Sequence, residues 1–126
     1  MQETFKKQEK LKKSKLIEKL FANGESLTEF PIKLIYLEIE HASPYKIQAG
    51  VTVSKRNFNK AVNRIKIKRL LREAYRKNKY MIYDSENTKK HIFMFIYLGK
   101  KEIKYPVLEE KMKTLLQKFL VKNKSN

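Results

Sequence analysis

The sequence predicts a single-domain α/β sandwich of the α+β class, with elements in the order α-β-β-β-α-β-α and a four-stranded sheet. Residues 32–39 and 45–54 are rich in apolar and β-branched side chains, and residues 91–98 form a continuous apolar run, patterns that favour strands. Apolar residues at helical spacing predict the helices. A chain of 126 residues can bury roughly two thirds of its unfolded surface in one core, so one domain is expected over residues 1–126.

The amino-terminal region predicts a helix and a short strand. Ser14 can cap a helix over residues 14–23, and Gly24 follows as its stop. Residues 26–29 come next as the short strand. Ahead of the helix, residues 1–10 are predicted to form a flexible basic arm.

The two longer strands are predicted to form an antiparallel pair, because a turn-forming Ala-Ser-Pro segment at residues 42–44 joins them. Side chains alternate between the two faces of a strand. One face of the second strand carries Ile47, Ala49, Val51 and Val53, and the other carries Gln48, Gly50, Thr52 and Ser54. The second face is polar enough to be an open surface.

The carboxyl-terminal half predicts a loop around residues 84–90, a buried strand over the apolar run, and a last helix that begins at Pro106. Apolar residues of that helix keep i, i+3, i+4 spacing, which is typical of a core-facing stripe. Residues 121–126 are predicted to be a polar tail. The segment from Val51 to Leu98 forms a βαβ unit, for which the general rule predicts a right-handed crossover.

A basic helix is predicted between these strands. All five arginines lie within residues 56–76, whereas the 25 lysines run along the whole chain. Residues 55–79 contain eleven bases and one acid, Glu73, and hold +10 of the net charge of +17. At 100° per residue, one side gathers Ile67, Leu70, Leu71 and Ala74, and the other gathers Lys68, Arg69, Arg72 and Arg76.

This charge pattern indicates a nucleic-acid interface. An ordinary surface helix would pair its bases with acids at i±4, and here only Glu73 is available. Guanidinium is a planar fork that grips phosphate oxygens two at a time and stacks on bases. A charge surplus of this size usually means a polyanionic partner.

Other classes of function have little support. No apolar run approaches the ~20 residues of a membrane span, and the Lys-rich amino terminus lacks the apolar segment of a secretion signal, so a cytoplasmic protein without a membrane partner is expected. Candidate catalytic carboxylates and imidazoles lack the clustering that metal or triad chemistry needs; they are Glu38, Glu40, Asp84, Glu109, Glu110, His41 and His91. No catalytic or metal-ligating residue is predicted on the polypeptide.

Residues 51–79, VTVSKRNFNKAVNRIKIKRLLREAYRKNK, resemble the signature of the bacterial ribonuclease P protein subunit. The similarity comprises a Ser-Lys-Lys-like strand end, an Ala-Val pair, an Arg-Asn-Arg-like motif and a Lys-Arg-Leu-Leu-Arg-Glu-Ala-aromatic run. Residues 10–26, KLKKSKLIEKLFANGES, resemble the first helix of that family and its glycine stop. With the order of elements, the resemblance covers nearly the whole chain.

The resemblance implies a ribonucleoprotein role. Ribonuclease P removes the 5′ leader of precursor tRNA by magnesium-dependent hydrolysis on its catalytic RNA subunit. The protein subunit binds that RNA through the basic helix and guides the leader through a cleft between the first helix and the sheet. Magnesium is then held mainly by RNA, the protein is monomeric without RNA, and the βαβ crossover is the rare left-handed kind.

Two sets of site residues follow from the resemblance. The RNA-binding set is Lys55, Arg56, Lys60, Arg64, Lys66, Lys68, Arg69, Arg72 and Arg76. The leader-cleft set is Ile17, Phe21, Tyr36 and Thr52. Ile35 replaces Tyr36 in the second set if the strand alignment slips by one residue.

The chain departs from the family pattern at two positions. Ile65 stands between Arg64 and Lys66, where the family has the asparagine of Arg-Asn-Arg, and Ile17 stands where an aromatic residue often lies in the cleft. A ribosomal or other structural RNA-binding protein would share the basic helix, and it remains the alternative. A DNA-binding helix ranks third, because the chain lacks helix-turn-helix spacing and heptads.

Overall fold

The computed structural model describes residues 4–86 and 89–123 and has the predicted α+β class. Its strands are β1 (Glu25–Glu29), β2 (Ile32–Glu38), β3 (Ile47–Val53) and β4 (His91–Tyr97). Its helices are a short 3-10 helix (Lys7–Glu9), α1 (Ser14–Asn23), α2 (Ala61–Asn78), α3 (Tyr80–Tyr83) and α4 (Tyr105–Lys122). The 3-10 helix and α3 have no counterpart among the predicted elements.

The sheet has the strand order β1-β2-β4-β3, and this corrects the predicted pairing of β2 with β3. β4 lies between them, antiparallel to β2 and parallel to β3, so that Met94 is opposite both Ile35 and Gly50. The physical reason is that β4 is apolar on both faces, and such a strand is most stable in the interior of a sheet. The chain passes from β3 to β4 through α2 and α3, and the hand of this crossover stays a prediction.

The two faces of the sheet bury two apolar clusters. Phe93 and Phe95 of β4 belong to the larger cluster, which α2 and α4 cover. Ile92 and Met94 point the other way and join Leu20 of α1 in the smaller cluster. Burying one such side chain contributes about 1.5–3 kcal/mol, so these contacts hold α1 on one side of the sheet and α2 on the other.

The amino-terminal segment differs from the predicted flexible arm, because residues 4–10 pack against the domain. Glu9 is 1% exposed, and its carboxylate accepts hydrogen bonds from Lys79 Nζ at 2.6 Å and Tyr83 Oη at 2.9 Å. The Phe5 ring meets the Tyr75 ring edge to face. Residues 1–3 lie outside the described part of the chain. A partner 70 positions away, such as Lys79 for Glu9, is not visible in a local sequence pattern.

The carboxyl terminus also differs from its prediction. α4 continues to Lys122, so residues 121–122 are helical, and residues 124–126 lie outside the described residues. In the predicted loop of residues 84–90, residues 87–88 are likewise not described. Within residues 4–86 and 89–123, no helix has the length and apolar character that a membrane span needs.

Candidate nucleic-acid interface

The helix α2 has the two faces that its spacing predicts. Ile67, Leu71 and Ala74 are buried in the larger cluster. On the opposite side Arg69 and Arg72 are exposed. The nine predicted RNA-binding residues lie on α2 or on residues 55–60 just before it, and we call them the basic stripe.

Some cations of the basic stripe have partners within the protein. Arg64 Nη1 donates to the carbonyl oxygens of Phe58 at 2.7 Å and Asn59 at 3.0 Å, and so ties the preceding loop to the first turns of α2. Arg76 binds Glu73 through two hydrogen bonds of 2.5 and 3.1 Å, and the hydrogen bond from Arg76 lowers the pKa of the Glu73 carboxyl. These two arginines therefore also hold the local structure.

Other cations of the basic stripe are available to a ligand. Lys68, Arg69 and Arg72 form no ion pair with any residue in the described part of the chain. Lys66 pairs with Glu102 at 3.2 Å, but both side chains are largely exposed, and such pairs contribute little. The free guanidinium forks of Arg69 and Arg72 are thus the groups best placed to bind phosphate.

Ile65 lies on the exposed side of α2, as the helical wheel predicts. It is 53% exposed, and Val62, one turn earlier, is 74% exposed. Two apolar side chains therefore interrupt the charges of the basic stripe. An exposed apolar pair can pack against the sugar or base of a bound nucleic acid.

A cleft of about 390 Å³ lies between α1 and the polar face of β3. Ile17 and Phe21 of α1 form one wall, and Thr52 and Gly50 of β3 form the floor. A Cβ atom at Gly50 would lie 3.1 Å from the Met94 methyl group. A side chain at this position would therefore crowd Met94 and fill part of the cleft. The structure thus brings together three of the four predicted cleft residues.

Tyr36 is the fourth predicted cleft residue, and its assignment is wrong. It is 2% exposed and lies on the opposite face of the sheet, where its ring meets the Phe119 ring edge to face at 5.1 Å. Ile35, the alternative, packs on the α1 side against the smaller cluster. A shift of one residue along a strand reverses the face to which a side chain points, and a strand with apolar residues on both faces gives no local signal of that register.

Phe5, Lys10 and Lys12 are among the cleft residues that the sequence prediction missed. Lys10 and Lys12 line the opening, and Phe5 lies beside it. The lysines precede α1 in a Lys-Leu-Lys-Lys run, which is the only local sign of their place. Arg72 was predicted as an RNA contact, but the structure also places it at the cleft. The basic stripe and the cleft therefore form one continuous surface.

Two of the candidate catalytic side chains, His91 and His41, lie within hydrogen-bonding distance of backbone carbonyl oxygens. No three side chains of His, Asp or Glu meet as a potential metal site in residues 4–86 and 89–123. His91 is buried, its Nδ1 lies 2.7 Å from the Lys89 carbonyl oxygen, and burial lowers its pKa. His41 Nε2 lies 3.3 Å from the Lys46 carbonyl oxygen. Each imidazole therefore contacts the backbone only a few residues away in sequence.

Comparisons with known proteins give matches that cover most of this chain. A family model described as Ribonuclease P matches residues 5–120. The ribonuclease P protein component of Porphyromonas gingivalis is 39% identical over 69 residues, which are 54% of this chain and 50% of that one. The protein component of Chlorobium phaeobacteroides is 38% identical over 84 residues, 64% of this chain and 57% of that one. The chain thus spans about half the length of the curated relatives it matches.

Solved structures share the fold. The RNase P protein of Thermotoga maritima superposes with a TM-score of 0.71 at 23% identity and covers 87% of this chain and 96% of that one. The RNase P protein of Staphylococcus aureus gives a TM-score of 0.70 at 20% identity and covers 88% and 94%. At these identities the likeness establishes the architecture alone.

Proposed function

The chain belongs to the ribonuclease P protein family, and on that premise we propose that it is the protein subunit of ribonuclease P. In this role it binds the catalytic RNA subunit and the 5′ leader of precursor tRNA, and it assists endonucleolytic removal of the leader. One observation carries the proposal: Arg72 belongs to the basic stripe and also lines the cleft. A folded RNA and a single strand leaving it can therefore contact one continuous surface.

The basic stripe is proposed to bind the RNA subunit. Arg69 and Arg72 offer bidentate contacts to phosphate, and the lysines add charge without fixed geometry. If about 6–10 phosphates are neutralised, affinity should fall roughly 10³- to 10⁵-fold between low and moderate salt. Structured RNA is recognised mainly by shape and backbone, so we expect little sequence discrimination.

The cleft is proposed to hold the leader as a single strand. Phe21 is 51% exposed and offers an aromatic face on which a base can stack. Lys10, Lys12 and Arg72 lie around the same cavity and can pair with the leader phosphates. Stacking on one aromatic ring contributes about 1–3 kcal/mol. Residue 17 is isoleucine, so the cleft lacks the second aromatic ring that an aromatic residue at this position would provide. Its affinity for the leader should therefore be modestly lower than that of a cleft with two rings.

Catalysis is proposed to take place on the RNA subunit. The hydrolysis requires magnesium, whose preferred ligands are oxygens of carboxylates, phosphates and water. The cleft is lined by Lys10, Lys12 and Arg72, which would repel the ion, and by apolar side chains, which offer it no ligand. Magnesium held mainly by RNA fits that lining, and the protein then contributes positioning.

Reconstitution tests the proposed function. The purified chain is mixed with the separate RNA subunit of ribonuclease P and a precursor tRNA at low magnesium. Cleavage at the mature 5′ end is expected only when protein and RNA subunit are both present. A chain that binds RNA without stimulating cleavage would favour a structural RNA-binding protein. A chain that does not bind the RNA subunit at all would contradict the proposal.

A further inference from the structure

A second concave surface lies at the other end of the sheet from Glu25 and Lys122, between the β1–β2 turn and the segment that follows β4. Its volume is about 680 Å³, within the range of small-ligand sites. Phe30, Pro31, Leu98 and Ile103 make its walls mainly apolar. Phe30 is 64% exposed, so its ring presents an aromatic face to a partner.

This pocket adjoins the amino-terminal end of the basic stripe. Glu102 in its wall pairs with Lys66 of α2 at 3.2 Å. The Asn57 side-chain amide donates to the Leu98 carbonyl oxygen at 3.3 Å. α2 is therefore flanked by two hollows, the cleft near Arg72 and this pocket near Lys66.

The pocket is rigid on its inner side. The hydroxyl of Tyr97 donates to the Lys101 carbonyl oxygen at 2.6 Å, and Tyr97 is 1% exposed. A Cβ atom at Gly99 would lie 2.9 Å from the same ring, so the segment after β4 lies directly on Tyr97. The wall opposite Phe30 is thus held in place before any ligand arrives.

The rim of the pocket is cationic. Lys100 and Lys101 are exposed and form no ion pair with the described residues. The only acid in the lining, Glu102, is already paired with Lys66. An apolar hollow with an exposed ring and two free ammonium groups is complementary to a flat aromatic group next to phosphate.

We infer that this pocket is a second RNA contact, in which an unpaired nucleobase of the ribonuclease P RNA stacks on Phe30 and its flanking phosphates pair with Lys100 and Lys101. The inference rests on the proposed function, because the basic stripe brings that RNA to the neighbouring surface. Since the lining offers few polar groups, any of the four bases can occupy the pocket. An acidic protein would satisfy the charge but would leave the guanidinium groups of α2 without phosphate to bind.

Binding of the RNA subunit to variants of residue 30 tests this contact. Phe30→Ala is expected to weaken binding roughly 5- to 150-fold, the range for stacking of one base, and Phe30→Trp is expected to keep the affinity. Val121→Ala is the control, because Val121 is 78% exposed at the far end of α4. Thermal melting should show the same stability for all variants. Wild-type affinity for Phe30→Ala would overturn the inference and leave the proposed function standing, whereas wild-type protein that does not bind would overturn both.

Photocrosslinking and salt dependence provide two independent readings. A benzophenone side chain at position 30 should crosslink to the RNA subunit, and one at position 121 should not; no crosslink from position 30 would overturn the inference.

Lys100→Ala with Lys101→Ala should reduce the slope of log affinity against log salt by about 1–2. The control pair Lys89→Ala with Lys113→Ala removes the same charge elsewhere and should leave the slope unchanged. Equal slopes for the two pairs would also overturn the inference.

Discussion

The middle of α2 and its carboxyl-terminal end use the same kind of charge in opposite ways. Arg69 and Arg72 are exposed and form no ion pair with the described residues. Lys79, which follows the helix, is 1% exposed, and its ammonium donates to Glu9 at 2.6 Å and to the Thr4 carbonyl oxygen. A buried charge is tolerated only when paired and hydrogen-bonded. Position in the fold therefore separates the exposed cations, which are available to a ligand, from the buried one, which is structural.

Removing the Glu9 carboxylate, which neutralises Lys79, should give the largest effect, a loss of folding stability. Glu9→Gln leaves Lys79 buried without a counter-charge, and breaking a buried pair from one side costs about 3–5 kcal/mol. Urea unfolding measures the loss. Glu18→Gln, on the exposed side of α1, is the control and should stay within about 0.5 kcal/mol of wild type. A loss below about 1 kcal/mol for Glu9→Gln would show that the segment containing Glu9 contributes little to the fold.

Replacing the exposed ring of the cleft should affect binding and leave stability unchanged. Phe21→Ala is expected to lower affinity for the precursor tRNA leader by about 1–3 kcal/mol, measured with leader-containing and leaderless tRNA on the assembled holoenzyme. Its free energy of unfolding should change by less than about 0.5 kcal/mol. Tyr80→Ala, which removes a ring of similar exposure (49% against 51%), is the control. Equal leader affinity for both variants would argue against the cleft as the leader site.

Replacing the guanidinium groups of Arg69 and Arg72 with ammonium groups should have an intermediate effect on binding of the RNA subunit. Arg69→Lys with Arg72→Lys keeps the net charge and removes the bidentate geometry. Lysine keeps the charge and can still donate a hydrogen bond, so we expect a total loss near the lower end of the ~1.5–3 kcal/mol that one hydrogen bond to a charged group contributes. Binding of the RNA subunit should therefore weaken by roughly tenfold with unchanged stability. Filter binding at moderate salt measures it, with the charge-preserving Lys113→Arg as control. Unchanged affinity would mean that charge alone matters on the basic stripe.

The smallest expected effect is the contribution of His91 to the pH dependence of folding stability. Burial lowers the pKa of His91 from its ordinary value of 6.5, so the unfolded chain takes up this proton more readily than the folded one. Its contribution to stability should be complete above pH ~6.5 and be lost as the pH falls through the lowered pKa. Thermal melting from pH 7.5 to 5 measures this loss. His91→Gln should reduce the slope, and equal slopes for wild type and His91→Gln would contradict this prediction.

Only part of the candidate site could be predicted from the sequence. The two faces of α2, including the exposed Ile65, follow from the 3.6-residue period, and the open face of β3 follows from a period of two. The family signature supplied Phe21 and Thr52, which the structure brings to one cleft. The prediction that Tyr36 lies on the cleft face of the sheet was wrong, because a one-residue shift in alignment moves every side chain of a strand to the opposite face.

The sequence by itself therefore determined the four strands and the three longer helices, the two faces of α2 and β3, and the concentration of charge on α2, because these depend on neighbours along the chain. Tertiary structure decided that β4 lies between β2 and β3, that Glu9 neutralises Lys79, and that Arg72 meets the cleft. Each of these joins segments that are far apart in sequence. Such contacts depend on how whole strands and helices pack against one another, and no local period encodes that arrangement.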